Sequence, residues 1–239
     1  MTKMRKFYMI CFVFRCLVFA VCVPILVFKP SELDILQNGN FFNGFSVFHI
    51  LWGIWVLGIL FQLIPIRKAP IGTQKLFKQR FTAAKNKFDR KALRDYIVST
   101  SKEAYKVMLL WIGFLLILGI SRYADMINDN FLFLITLVLY VSDLVCVLFW
   151  CPFRLFLKTR CCTTCRIYNW DRFFMFTPLM FIKGFFPLSL VALSVLSLIL
   201  WEISAFVHSE RFWEISNEAL RCSNCTDKLC SQYCKKIQE

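Results

Sequence analysis

The chain has 239 residues, of which 58% are hydrophobic and 27 are Phe, and its formal net charge is +14. An ordinary soluble domain of this length has fewer apolar residues and breaks them up periodically, so this composition excludes that class and indicates an all-α integral membrane protein. The basic residues adjoin apolar runs, whereas a nucleic-acid site needs a water-exposed basic face on a folded domain. The charge therefore predicts contact with membrane lipids and no nucleic-acid partner.

Five segments are long and apolar enough to cross a bilayer, which requires roughly 20 residues. They are residues 7–28, 44–66, 105–122, 131–151 and 185–207. The last lies within a longer run, residues 173–207, that contains Pro178, Lys183 and Pro187. Because lysine is costly in hydrocarbon and proline starts or kinks a helix, we expect residues 173–182 to lie in the interface, followed by the span. A hairpin across the whole run is the alternative.

The loop at residues 67–106 holds twelve Lys or Arg residues and three acidic residues. Loops this short and basic stay in the cytoplasm. Alternation of the five spans then places the N-terminus and the cysteine-containing loop at residues 152–184 in the cytoplasm. The cysteine-rich tail at residues 208–239 is expected on the extracytoplasmic side.

Apolar residues in this loop recur at steps of three or four from Phe77 to Tyr96. The spacing predicts an amphipathic helix that lies in the cytoplasmic headgroup layer. The basic residues of its other face are Lys78, Lys85, Lys87, Arg90, Lys91 and Arg94. We expect this face to bind anionic headgroups, and docking of a protein partner is the alternative.

A first cysteine group, Cys161, Cys162 and Cys165, follows the fourth span. Neighbouring cations favour the thiolate, which is both the nucleophile and the metal ligand. Three thiolates do not close a tetrahedral zinc site, and Cys151 and Asp171 are the candidates for a fourth ligand. Thiol redox chemistry, palmitoylation and reduced bystanders are the competing interpretations.

A second group, Cys222, Cys225, Cys230 and Cys234, lies in the last 18 residues. In a cytosolic chain this spacing predicts a small zinc site, because four thiolates complete a tetrahedron. An extracytoplasmic tail favours two disulfides instead, with metal binding or a redox-active pair as alternatives. If residues 173–207 form a hairpin, both groups share the cytoplasmic side and a joint zinc or iron–sulfur site becomes the leading prediction.

Two charges, Arg15 and Asp143, lie inside the first and fourth spans, where a lone charge costs several kcal/mol. Both are roughly 12 Å from the cytoplasmic edge at 1.5 Å per residue, so we expect them to pair. The alternative is that Arg15 extends to the headgroups while Asp143 is protonated or faces water. Glu202 lies nearer the predicted outer face and is the expected neighbour of Arg122.

The chain contains no glycine-rich phosphate loop and no zinc-protease or serine-hydrolase motif. The sequence favours a small polytopic membrane protein that uses cysteine clusters for metal binding or thiol redox chemistry at the membrane surface. A non-enzymatic scaffold or assembly subunit with structural disulfides in the tail is the second interpretation. A transporter or channel, which the charges within spans suggest, is the third.

Overall fold

The computed structural model describes residues 2–37, 40–85, 89–157 and 161–229. Regular structure within these ranges is helical, as the sequence predicts, and the one β-type contact is an isolated bridge between Ala83 and Asn217. The α-helices are α1 Lys3–Phe28, α2 Val47–Leu63, α3 Arg90–Tyr123, α4 Asp129–Leu148, α5 Phe153–Leu157, α6 Asp171–Phe176 and α7 Phe185–Val207.

Polar side chains begin the long helices by accepting hydrogen bonds from backbone N–H groups that have no partner within the helix. Thr2 caps α1, Asp89 caps α3 and Asn128 caps α4. Ser46 caps α2 in a reciprocal arrangement, in which the His49 ring bonds back to the Ser46 backbone. These four capping residues explain where the apolar helices start.

Four helices in the described ranges, α1, α3, α4 and α7, are long and apolar enough to cross a membrane. The predicted span at residues 44–66 is shorter than expected, because α2 has 17 residues and is about 25 Å long at 1.5 Å per residue. In contrast, α3 has 34 residues and a length of about 51 Å.

The predicted separate amphipathic helix in the basic loop is wrong for the described residues. A 3-10 helix covers only Lys78–Arg80, and Arg90 already belongs to the continuous α3. Between them the backbone pairs with the tail: the Glu218 N–H donates to the Thr82 carbonyl at 2.8 Å, and the Ala84 N–H to the Ser216 carbonyl at 3.1 Å. These long-range bonds use backbone groups that a local helix would need.

Residues 171–182 run through the interior of the bundle, where the sequence predicted an interfacial piece. A 3-10 helix at Thr177–Phe181 continues α6, and the change of helix type falls at Pro178, which has no N–H to donate. Phe176 and Leu179 are completely buried. The interfacial prediction is therefore wrong, and the hairpin alternative describes the structure.

The hairpin reverses α7 and brings the two chain termini of the described region to one end of the bundle. We call this the near end; it comprises Thr2 and residues 64–85, 149–157, 161–170 and 208–229. Thr2 Oγ1 donates to the Asp227 carbonyl at 3.0 Å. Thr2 and the described part of the tail therefore lie at the same end of the bundle, whereas the five-span prediction requires α7 to run in the other direction.

The opposite end, which we call the far end, contains the turns at residues 29–37, 40–46, 124–128 and 182–184. Aromatic side chains fill the half of the bundle beneath it. The Trp55 ring lies 5.2 Å from Phe176 and 5.9 Å from Phe133, and the Phe133 ring lies 6.2 Å from Phe186. All four side chains are at most 1% exposed. The larger hydrophobic cluster therefore lies towards the far end, and a second cluster around Trp170 and Trp201 lies towards the near end.

Substitution of Gly184 tests how tightly the turn of the hairpin packs against Leu36. A Cβ added at this position would overlap the Leu36 backbone carbonyl, and backbone yields less readily than a flexible side chain. We expect Gly184→Ala to lower the free energy of unfolding by about 1–3 kcal/mol through overpacking, measured by thermal unfolding in detergent. Gly113→Ala is the matched control, since a Cβ there meets nothing within 4 Å. Equal melting temperatures for the two variants would contradict the packing of this turn on Leu36.

Candidate functional site

The near end brings together the two cysteine groups that the sequence predicted on opposite sides. A small crevice there is lined by residues from the basic loop, the cysteine-containing loop and the tail: Pro70, Cys161, Cys162, Thr163, Tyr168, Cys225, Asp227 and Leu229. Cys161 is buried, and Cys162 and Cys225 are partly exposed. The crevice is a composite site, because cysteines about 60 residues apart in sequence share one cavity.

The same backbone turn presents both pairs of cysteines. The Cys165 N–H donates to the Cys162 carbonyl at 3.1 Å, and the Cys225 N–H donates to the Cys222 carbonyl at 3.2 Å. Each pair is bridged by a 3-10 turn that begins at its first cysteine: Cys162–Thr164 in one pair and Cys222–Asn224 in the other. Two Cys-x-x-Cys segments thus have equivalent local geometry at one end of the molecule.

Asp227 fastens the tail to the rest of the near end. Its Oδ2 accepts from the Ile71 N–H at 3.3 Å, and its backbone carbonyl accepts from Thr2. The following residue, Lys228, has a positive φ of 43° and its N–H donates to the Cys225 sulfur at 3.4 Å. These bonds turn Cys225 towards the crevice that Cys161 and Cys162 line.

Burial controls the protonation of the crevice thiols. It raises the pKa of the Cys162 thiol to about 12, with a further contribution from Cys165 and Cys161, while Arg154 opposes the shift. Burial also raises the pKa of the Cys225 thiol, against the N–H groups of Lys228 and Asp227. The expectation that nearby cations hold Cys162 as thiolate is wrong, because the loss of hydration outweighs the cation.

Neither a metal site nor a disulfide is shown. In the described ranges no three His, Cys, Asp or Glu residues are grouped as metal ligands, and no disulfide joins two described cysteines. Cys230 and Cys234 lie outside those ranges. Cys165 lines a second small crevice with Tyr96 and Arg166, and Cys151 is partly exposed just beyond the end of α4.

Lys75 is a residue of the near end that sequence reasoning did not single out. It is 2% exposed, its Nζ donates to the Cys165 carbonyl at 3.4 Å, and the rings of Trp201 and Phe212 lie about 6 Å away. Burial lowers the pKa of Lys75 to about 8, while the cysteine thiols oppose the shift. One lysine among many in a basic loop carries no sequence signal of burial.

Glu202 binds Arg166 instead of the expected Arg122. Two Arg166 nitrogens lie 2.8 and 2.7 Å from the two carboxylate oxygens, and the indole N–H of Trp170 donates to Glu202 at 2.9 Å. Arg122 contacts Asp129 at 2.9 Å, at the far end. The prediction of a Glu202–Arg122 contact is wrong because the hairpin carries the end of α7 to the near end.

Arg15 and Asp143 lie in contact inside the bundle. Arg15 Nη1 is 2.6 Å from Asp143 Oδ2 and 2.7 Å from the Tyr140 carbonyl oxygen. Asp171, a candidate metal ligand in the sequence, accepts instead from Gln62 at 2.9 and 3.0 Å. These buried polar groups lie in the half of the bundle that faces the near end.

A tyrosine pair connects that interior to the crevice. The hydroxyl oxygens of Tyr8 and Tyr168 are 3.1 Å apart, and Tyr168 lines the crevice. Burial raises the pKa of Tyr168 well above its ordinary value, so both ring hydroxyls remain protonated at neutral pH. The crevice therefore has a polar wall on its bundle side.

The predicted basic face is at the surface where the structure describes it. The exposed side chains are Lys78, Lys85, Arg90, Lys91 and Arg94. Lys87 lies outside the described residues. These cations surround the near end but do not line the cysteine crevice.

Comparisons with known proteins found no relatives: no family model matches the chain, and neither the curated proteins nor the solved structures contain a match.

The Arg15–Asp143 contact predicts strong thermodynamic coupling. Arg15→Leu or Asp143→Leu alone strands a buried charge and should cost about 3–5 kcal/mol of unfolding free energy, whereas the double variant should cost clearly less than the sum. Chemical unfolding in detergent of the four proteins measures the coupling energy.

The surface pair Glu103–Lys106 supplies a control for this cycle. Its ions are 2.9 Å apart but the side chains are 33% and 62% exposed, so its coupling should be below about 1 kcal/mol. Additive losses for Arg15→Leu and Asp143→Leu would contradict the interior pair.

Proposed function

We propose that this chain is an integral membrane protein in which α1, α3, α4 and α7 cross the bilayer as long helices, while the shorter α2 and residues 171–182 complete the passages between the two ends of the bundle. Large apolar side chains on the outside of the bundle support this. On α3, Leu109, Leu116 and Ile120 are 67%, 61% and 69% exposed. Such a continuous apolar exterior is unfavourable in water and matches hydrocarbon.

The near end faces the cytoplasm in this proposal. Among the described residues, the far end carries only Lys29, Lys183 and, in the last turn of α3, Arg122. The near-end loops carry most of the remaining positive charge. Positively charged short loops stay in the cytoplasm. The exposed cations at residues 78–94 then lie beside anionic headgroups, which they attract by roughly 1 kcal/mol each.

We propose that the near end binds a soft metal ion through cysteines of both groups. The observation that carries the proposal is the shared crevice of Cys161, Cys162 and Cys225. Leu229 also lines it, and Cys230 is the next residue in the chain. Four thiolates are a typical set for zinc, and Cys230 itself lies outside the described residues.

The raised thiol pKa values favour metal binding over thiol redox chemistry at this crevice. A redox nucleophile must be a thiolate near neutral pH, and burial keeps Cys162 and Cys225 protonated. A metal ion overcomes this barrier because its bond to sulfur displaces the proton. The reduced cytoplasm, where disulfides are rare, also suits a thiolate site.

The aromatic packing argues against the transporter or channel interpretation. Buried charges such as Arg15 and Asp143 are confined to the near half, and Trp55, Phe133 and Phe186 fill the centre of the far half. A pathway for ions or polar substrates needs polar groups or water through the full depth. Among the described residues, the buried charged side chains end part of the way across, and the far half holds only isolated hydroxyls such as Thr136 and Ser194.

Metal content tests the cysteine site. We expect protein purified under reducing conditions to retain about one zinc per chain, measured by mass spectrometry of the metal. Cys162→Ser and Cys225→Ser should each reduce this occupancy. As the pH is lowered, zinc affinity should fall roughly tenfold per pH unit for each thiol proton that zinc displaces. Iron and acid-labile sulfide, measured together, would identify an iron–sulfur cluster instead.

Cys16→Ser is the control, because Cys16 lies within α1 and away from the crevice. Two results together would overturn the metal site. The protein would contain no metal in any variant, and its tail thiols would react with a maleimide only after reduction. That result would support the scaffold with structural disulfides.

Membrane sidedness is tested with epitope tags. Protease added to intact cells should spare a tag after Glu239 and a tag near Lys85, because the described part of the tail and the basic loop both lie at the end of the bundle that we propose to be cytoplasmic. A tag inserted at residues 124–128, in the far end, should be removed. Cleavage of the tag after Glu239 alone would contradict the reversal of α7.

A further inference from the structure

Lys75 places a buried positive charge at the near end, and the described residues give it no carboxylate partner. It is 2% exposed, and its Nζ donates to a backbone carbonyl, that of Cys165, at 3.4 Å. The rings of Trp201 and Phe212, 6.0 and 5.9 Å from Nζ, hold the ammonium group in position. A buried ammonium group is costly unless an opposite charge compensates it. The charge of Lys75 therefore has to be explained.

Arg166 is a second buried cation in the same part of the near end, with 7% of its surface exposed. Its two terminal nitrogens bind Glu202 at 2.8 and 2.7 Å, and the Trp201 indole N–H donates to its backbone carbonyl at 2.9 Å. These contacts fix the guanidinium group, but its buried Nε has no hydrogen-bond partner among the described residues. Glu202 therefore compensates one of the two cations, and a rigidly held N–H group is left without an acceptor.

The two cations also act on each other. The pKa of Lys75 is lowered to about 8, chiefly by burial and in smaller part by Arg166, while the thiols of Cys165, Cys161 and Cys162 oppose the shift. A like charge lowers the pKa of an ammonium group only at short range, so Lys75 and Arg166 are close neighbours. This part of the near end thus carries an excess of buried positive charge.

The second crevice adjoins both cations. Arg166 lines it, together with Cys165 and Phe212, whose carbonyl and ring lie beside the Lys75 ammonium group. Its other walls come from α3 and from the cysteine-containing loop. The cavity volume of about 10 Å³ gives room for one particle the size of a water molecule. A small ligand in this cavity therefore meets the unpartnered side of Arg166, with Lys75 directly behind the wall.

We propose that the second crevice binds one small monovalent anion of the halide class, held by the Nε–H group of Arg166 and by the charge of Lys75. An anion compensates the excess positive charge, whereas a water molecule does not. Anions with several oxygens, such as phosphate, exceed the volume of the cavity. The site goes beyond the proposed metal function, because its ligand is an anion bound by cations in a different cavity.

An anion at this position connects four segments of the near end. Lys75 belongs to the basic loop, Arg166 to the cysteine-containing loop, Phe212 to the tail, and Tyr96 and the rest of that wall to α3. Because the two cations repel each other, these segments dock more firmly when the anion is bound. Anion binding should therefore stabilise the folded near end.

Thermal unfolding of the full chain in detergent tests the site, with chloride replacing gluconate at constant ionic strength. Gluconate is too large for the cavity. We expect the melting temperature to rise with chloride concentration and to saturate, because a ligand that binds only the folded state stabilises it. Bromide should act in the same way. Equal melting temperatures in chloride and gluconate, or a rise that does not saturate, would overturn the proposal.

Substitutions of Lys75 test which charge holds the anion. Lys75→Met keeps the length of the side chain and removes its charge, so chloride affinity should fall by about tenfold or more, whereas Lys75→Arg should keep the chloride response. Lys78→Met is the matched control, because Lys78 is an exposed cation of the same loop and its loss should leave the response unchanged. An unchanged chloride affinity in Lys75→Met would contradict the site.

A second variant tests the cavity without removing a charge. Thr100 lines the second crevice from α3, and the larger side chain of Thr100→Leu should occupy the space of the anion. We expect this variant to lose the chloride response while Lys75 and Arg166 are retained. This variant supplies the test if Lys75→Met does not fold, and a full chloride response in it would overturn the proposal.

The metal variants separate the two sites. Cys162→Ser and Cys225→Ser should lose zinc and keep the chloride response, and the zinc content of the wild type should be the same in chloride and in gluconate. A chloride response that disappears when zinc is bound would mean that the metal–thiolate centre compensates Lys75, and it would overturn the anion site. Failure of the anion site and failure of the metal site are therefore distinguishable.

Discussion

The passage of residues 171–182 through the middle of the bundle holds the rest of the structure in place. Backbone that departs from the α-helix is tolerated at this depth only where protein surrounds it, and the neighbouring helices bury Phe176 and Leu179 completely. The chain reaches the far end by this passage and turns at Gly184. From that reversal follow the Arg166–Glu202 contact and the meeting of the tail with the basic loop.

The two halves of the bundle differ in their buried side chains: charged groups lie in the near half and aromatic rings fill the far half. The near half encloses the Arg15–Asp143 contact, the hydrogen bonds of Asp171 and the buried ammonium group of Lys75. The far half contains interlocking aromatic rings. Such a division suits a protein whose chemistry takes place at one surface, with the remaining bundle as its anchor.

Hydropathy and length were sufficient to predict the helical class and the approximate positions of the long apolar helices. Equal depth also pointed to Arg15 and Asp143, which the structure places in contact. Residues 171–182 could not be located in this way, because hydropathy does not distinguish a segment enclosed by protein from one that lies at a membrane surface.

The periodicity of apolar residues also could not predict contacts between distant parts of the chain. The apolar spacing around Phe81 is helical, yet the hydrogen bonds of Thr82 and Ala84 go to the tail more than 130 residues away. The shared crevice of Cys162 and Cys225 depends on the same long-range pairing. Only the hairpin alternative anticipated that the cysteine groups share one side, and local sequence did not favour it.

In the membrane arrangement that we propose, the hairpin also determines when during biosynthesis the crevice can form. Cys162 emerges from the ribosome before α7 does, and Cys225 only after it, so the two can meet only once the last helix has inserted and returned the chain to its starting side. A nascent chain that failed to turn at Gly184 would leave Cys225 across a hydrocarbon layer of about 30 Å from Cys162. Closure of the crevice thus reports that membrane insertion of the whole chain has been completed correctly.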